Sequence, residues 1–184
     1  MAAVDKPVRV AVLGGRGMLG TDLCAQLRTR GCEALAMDLP ECDITRPGHV
    51  AAALAGVDVV VNCAAFTNVD RAEDVPDVAR AVNATAVGEL GRQAAARGVF
   101  VLHISTDFVF DGVGERPYDE TSAPGPISVY GLTKLEGEQA LAASGCRHAI
   151  VRVQWSYGLN GVNFPVKLLD RAAAGGELRI VDDQ

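Results

Sequence analysis

Residues 8–20 read VRVAVLGGRGMLG, and the reading of this stretch decides the fold. Residues 8–13 form a short, valine-rich apolar run, the pattern of a strand covered on both faces. Glycines follow at 14, 17 and 20, a G-x-x-G-x-x-G spacing, and residues 17–30 continue with helical periodicity. A strand that turns through glycines into a helix offers free N–H groups and the positive end of a helix dipole at the turn. Glycine permits the tight turn and lets a pyrophosphate approach the backbone closely. Gly14, Gly17 and Gly20 are therefore candidates for holding a dinucleotide.

Outward from this loop, apolar runs alternate with helical segments. Strands are expected at 8–13, 34–37, 57–61, 99–104, 148–153 and 178–181, and helices at 17–30, 48–55, 75–97, about 128–143 and 163–174. Pro76 lies near the start of the longest helix, Gly98 just past its end, and a Pro/Gly-rich loop fills 111–126. Strand-helix alternation of this kind calls for parallel strands joined by crossover helices. The expected fold class is α/β, a doubly wound parallel sheet of the Rossmann type.

At 184 residues, 49% hydrophobic and 22% charged, the chain suffices for one full domain and hardly for two. A net charge of -6 argues against general affinity for nucleic acid. No apolar run approaches a membrane span, and MAAVDKP at the start lacks a signal-peptide pattern, so a cytoplasmic protein with no membrane partner is expected. Cys24, Cys32, Cys42, Cys63 and Cys146 are scattered without a C-x-x-C pair, which suits reduced thiols. His49, His103 and His148 are equally dispersed, and no metal site is expected.

Asp38 ends the second expected strand, where an acid meets the adenosine ribose hydroxyls of NAD. Arg16, inside the glycine loop, suits the 2′-phosphate of NADP instead. The two residues point to opposite cofactors, and the choice between NADPH and NADH stays open.

Lysine occurs three times against fourteen arginines, and tyrosine three times, yet Tyr130-Gly131-Leu132-Thr133-Lys134 sets one of each four residues apart. On a helix these share a face. Carbonyl reduction wants such a pair: hydride attack creates alkoxide charge that needs a proton donor, and a cation beside a phenol lowers its pKa toward working pH. Ser105-Thr106-Asp107 follows the fourth expected strand, at the sheet end where ligands of open α/β folds bind.

These residues carry a resemblance. GGRGMLG (14–20), VVNCAAFTNVDRAE (60–73), AVNAT (81–85), HISTDFVFDG (103–112), PYDE (117–120), VYGLTKLEGE (129–138) and VRVQWSYG (151–158) resemble, in order and spacing, the dTDP-4-dehydrorhamnose reductase family of extended short-chain dehydrogenase/reductases. The resemblance implies hydride transfer from NADPH or NADH to the C4 ketone of a dTDP-4-dehydro-6-deoxyhexose. By position it implies Tyr130 as proton donor, Lys134 as its support and ribose contact, and Thr106 as a residue tuning proton transfer. Thr106, Asp107 and Trp155 would meet the dTDP-sugar. Gly17, Met18 and Leu19 match the pyrophosphate loop, Asp43 and Ile44 the adenine contact, and Ala65, Phe66 and Thr67 the nicotinamide half. Asn62 and Asn83 read as structural polar groups.

Where the family usually has R-T-S/A-W-V-Y, this chain reads Arg152-Val153-Gln154-Trp155-Ser156-Tyr157. Some members bind magnesium through acids at a dimer interface; only Asp22 lies near such a position, so no metal is carried over, while a homodimer is an assembly the resemblance allows. The family continues for roughly a hundred residues more, in a small substrate domain of ordinary size. The expectation is therefore a cofactor-binding domain over 1–184, cut short before the rest of that domain, with apolar surface showing on the substrate side. Two other readings stand beside the reductase: a non-catalytic NADP-binding regulatory subunit of the methionine adenosyltransferase β type, and another nucleotide-sugar ketoreductase or epimerase.

Overall fold

Strand alternation explains both layers of the fold. A computed structural model describes residues 6–114, 116–175 and 178. In β1 (Arg9–Leu13), Val10 and Val12 face one side of the sheet, and Ala11 and Leu13 the other. The first side packs under α1 (Met18–Thr29), with Cys24, and against Ala34 of β2 (Glu33–Met37) and Val61 of β3 (Val59–Asn62). The second is covered by α2 (Pro47–Ala53), α5 (Ala86–Arg97) and α6 (Val129–Ala143), through Val50, Leu90 and Leu141. Burial on both faces is why β1 reads as a continuous apolar run.

Among the described residues the sheet has five parallel strands in the order β2-β1-β3-β4-β5, with β4 at Phe100–Thr106 and β5 at His148–Val153. Order reverses between β1 and β3, where Leu13 pairs with both Met37 and Asn62. A cleft opens beyond the carboxyl ends of strands at such a point.

Several points differ from the sequence expectations. The single helix 75–97 is instead α4 (Pro76–Arg80), a π-helical turn (Ala81–Thr85) and α5, ending at Gly98 in the left-handed region, φ 69°. The wide turn gives Asn83 its tertiary partners, described below, which helical periodicity does not reveal. A short helix, α3 (Val69–Asp74), was not anticipated; Asn68 caps it by accepting the Arg71 N–H at 3.0 Å. Ser105 and Thr106, expected just after a strand, lie within β4 because they pair with Arg152 and Val153.

A 3-10 turn at Asp107–Val109 was likewise not anticipated, and the other described elements, through α7 (Phe164–Ala173), fall within two residues of their expected bounds. The expected strand 178–181 lies, beyond Leu178, outside the described residues. Trp155, Tyr157, Leu159, Val162 and Phe164 are exposed, and α7 has no buried side chain among the described residues. No helix among the described residues is long and apolar enough to cross a membrane.

Candidate active site

Gly14 leaves β1 with φ 72°, and the Gly17 N–H donates to Gly14 O at 3.0 Å. A Cβ at Gly14 would come within 2.8 Å of Ala64 N, and one at Gly20 would overlap Gly14 O. The loop is thus clamped between the first turn of α1 and the end of β3. Gly17 is the N-cap of α1 and brings no side chain, so the N–H groups of the first turn stay free for an anion.

A cleft of about 810 Å³ opens here. Gly14, Arg16, Gly17, Met18, Leu19 and Gly20 form one wall, with Asp38, Asp43 and Ile44 beyond β2. Ala65, Phe66 and Thr67 follow β3, and Thr106, Tyr130 and Lys134 close the far end. Asp107 and Trp155 are not part of its wall. Trp155 is 56% exposed, with φ 49°, and meets the Phe164 ring edge to face at 5.6 Å. Sequence reasoning missed the contribution of the loop after β5, where Ser156, Gly161 and Val162 line the cleft. Asn160 Nδ2 ties that loop to α1 by donating to Asp22 Oδ1 at 2.5 Å. A more open depression of about 640 Å³, between α5 and α6, holds none of the candidate residues.

At the β2 end, Asp38 already has partners. Its Oδ2 accepts the Arg16 N–H and its Oδ1 the Leu39 N–H, each at 2.8 Å. The Arg16 guanidinium donates to Asp38 O and Leu39 O and pairs with Glu41. Asp43 is held below the usual carboxylate range by hydrogen bonds from the Thr45 hydroxyl and N–H.

The other end is built by α6 and β4. Ser128 caps α6 by accepting the Gly131 N–H at 3.1 Å, which fixes the turn carrying Tyr130. The Tyr130 ring meets Phe108 edge to face at 5.5 Å, and Thr106 lies close enough to its phenol to favour the ionised form. Thr106 donates to Asp107 Oδ1 at 3.0 Å and accepts the Phe108 N–H at 3.2 Å. Lys134 is 1% exposed, and its Nζ donates to Ile104 O at 2.7 Å. Burial pulls the Lys134 pKa down to about 8 against the raising influence of Glu138 and Cys63.

One expectation is reversed. The Tyr130 phenol lies above its ordinary pKa, because burial raises it first and Asp107 adds to that, with Thr106 opposing. Lys134 does not bring it down: its ammonium is turned into the sheet, toward Ile104 O and His103.

Behind this surface lie two buried groups. Asn62 and His103 are fully buried, with Asn62 Nδ2 3.1 Å from His103 Nδ1 and His103 Nε2 3.3 Å from Lys134 Nζ. Glu138 accepts the Ser105 hydroxyl at 2.5 Å and two Arg152 N–H groups at 3.0 and 2.6 Å. The signal for Glu138 was present, since it stands four residues past Lys134 on the same face. His103 interrupts the apolar part of β4, residues 100–104, which marks it only as an inward polar group.

The family model described as the RmlD substrate binding domain matches residues 8–184. A curated relative, dTDP-4-dehydrorhamnose reductase of Mycolicibacterium smegmatis, is 42% identical over 178 residues, covering 96% of this chain and 54% of its own length. A solved structure of a dTDP-4-dehydrorhamnose reductase ortholog from Clostridium acetobutylicum is 36% identical with TM-score 0.91, over 96% of this chain and 64% of that one. Another, dTDP-4-dehydrorhamnose reductase from Bacillus anthracis in complex with NADP, is 32% identical with TM-score 0.88, over 92% and 61%. The chain thus spans a little over half to under two thirds of the length of these proteins.

Proposed function

The chain belongs to the RmlD substrate binding domain family, and on that premise we propose that it binds NADPH or NADH and reduces the C4 ketone of dTDP-4-dehydro-6-deoxy-L-mannose to dTDP-L-rhamnose. The observation that carries the reading is the convergence of the glycine loop, Thr106, Tyr130 and Lys134 on one cleft. The names of its relatives support the substrate and the reaction.

The residues fit a dinucleotide. The uncapped start of α1 supplies N–H groups for a pyrophosphate, and the missing Cβ atoms at Gly14 and Gly20 let the loop pack tightly enough against β3 and α1 to aim them. Asp43 and Ile44 would border the adenine, and Ala65, Phe66 and Thr67 the nicotinamide half. When bound, the nucleotide supplies a hydride.

The chain's own residues supply the proton. Tyr130 donates from its phenol to the ketone oxygen, so that a neutral alcohol leaves. Its raised pKa keeps the phenol protonated before transfer. Thr106, whose hydroxyl proton goes to Asp107, lies beside the phenol and would tune the proton transfer. Lys134, buried at the cleft wall with its Nζ held by Ile104 O, would offer a hydrogen-bond donor to the nicotinamide ribose. Trp155 and Asp107 are proposed to meet the sugar from outside the nucleotide cleft. The reading carries a dTDP-sugar as substrate, a homodimer as assembly, a cytoplasmic location, and no nucleic acid or membrane partner. Residues 1–184 are read as the dinucleotide-binding domain.

Oxidation of NADPH and NADH, followed at 340 nm with the dTDP-4-keto-6-deoxyhexose and checked by identifying the product, tests the reading. Ketone-dependent oxidation is expected of a protein that also carries the rest of the substrate domain, whereas residues 1–184 alone are expected to bind nucleotide better than they turn over. Tight nucleotide binding without any turnover by the longer protein would favour the non-catalytic, regulatory reading instead.

A further inference from the structure

The buried chain Asn62–His103–Lys134 contains a conflict of donors. The Ala64 N–H donates to Asn62 Oδ1 at 3.2 Å, so the oxygen of that amide faces Ala64 and its NH2 faces His103 Nδ1, at 3.1 Å. Nδ1 is therefore the acceptor. Burial, with Lys134 adding to it, pushes the His103 pKa down to about 3, so the ring is neutral and carries one proton, on Nε2. That proton points at Lys134 Nζ, 3.3 Å away. An ammonium there would set donor against donor. An amine is satisfied throughout: its lone pair accepts the Nε2–H, one N–H donates to Ile104 O, and the other stays free for the cleft.

We propose that His103 is a positioning residue for the reduction: held by Asn62 as the Nε2–H tautomer, it makes Lys134 ready to give up a proton toward the cleft. Its catalytic meaning rests on the reductase reading above. The other groups facing Lys134 do not do this. Glu138, on the same helix, favours the ammonium and is itself neutralised by Arg152 of β5. Cys63, after β3, is pushed up to about 12 and stays a thiol. Tyr130 is a neutral phenol until it reacts. Ser105, beside His103 on β4, spends its hydroxyl on Glu138. When Tyr130 has donated its proton, one that Lys134 releases to solvent in the shared cleft can restore the phenol, and the amine left behind is the form that His103 accommodates.

The chain has three lysines and three histidines, so isotope labelling resolves each by NMR. In the wild-type protein, 15N shifts should show His103 with Nε2 protonated and Nδ1 bare, and Lys134 should titrate near 8. His103→Gln presents an oxygen that accepts from the ammonium, so the Lys134 midpoint should rise by about one unit. A purely packing role for His103 would leave that midpoint in place. A wild-type ring protonated on Nδ1, or an unmoved midpoint in a folded His103→Gln protein, would overturn the proposal. The wild-type tautomer needs no variant, so misfolding of His103→Gln leaves the test intact. Expected shifts without any ketone reduction would instead retain the tuning and reject the reductase reading.

Discussion

Asn83, buried and outside the cleft lining, closes a hydrogen-bonded ring with Phe66 of the cleft wall. The Phe66 N–H donates to Asn83 Oδ1 at 2.8 Å, and Asn83 Nδ2 donates back to Phe66 O at 3.1 Å. The same Nδ2 reaches the Thr133 hydroxyl at 3.2 Å, joining the loop after β3 to α6 next to Lys134. Residues that sequence places far apart are thus held as one wall, and the π-helical turn is what aims Asn83 there.

Replacing Asn83 with leucine leaves the Phe66 N–H and C=O without their partner in a site where Asn83 is 1% exposed. The expected loss is about 2–4 kcal/mol of stability. Nucleotide affinity should fall with it, because Phe66 is part of the cleft wall. Urea unfolding and nucleotide titration of Asn83→Leu check both; unchanged values would mean the ring holds nothing in place.

His103 makes stability depend on pH. Its pKa falls from 6.5 to about 3 on folding, with burial the larger cause. Between those values the unfolded chain binds more protons, so the contribution is complete above pH 6.5 and is lost as pH drops toward 3. The slope approaches roughly 1.4 kcal/mol per pH unit. His103→Gln should flatten this loss when urea midpoints at pH 7 and pH 5 are compared with those of the wild type. Parallel losses in the two proteins would assign the acid sensitivity elsewhere.

Glu41 is expected to influence the proposed choice between NADPH and NADH. Its pairing with Arg16 occupies the cation that borders Asp38 in the cleft. Glu41→Gln removes that competitor for a 2′-phosphate, and a gain of a few-fold in affinity for NADPH relative to NADH is expected from an exposed pair. Parallel titrations of the two nucleotides measure it. An unchanged ratio would show that Arg16 does not discriminate between them.

Much of this was legible because local rules set it. The glycines at 14, 17 and 20 stand where a Cβ or a side-chain cap would obstruct the turn, and Tyr130 and Lys134 share a face through helical spacing alone. What stayed hidden depends on contacts distant in sequence. The π-helical turn answers to Phe66 and Thr133, and Asn62 meets His103 across 41 residues. The direction of the Tyr130 pKa also escaped, because spacing shows that a lysine is near but not that its ammonium turns into the sheet. Asp38 and Arg16 were found as residues, whereas their mutual contact and the part played by Glu41 are matters of side-chain packing.

The most direct measurement is turnover by Tyr130→Phe, alongside its nucleotide affinity. Loss of the phenol hydroxyl should lower ketone-dependent NAD(P)H oxidation by about 10²–10⁴-fold, while nucleotide binding at the glycine loop stays close to wild type. Turnover within a few-fold of wild type would show that the proton comes from elsewhere, and that the Tyr130–Lys134 face of α6 is not where the ketone is reduced.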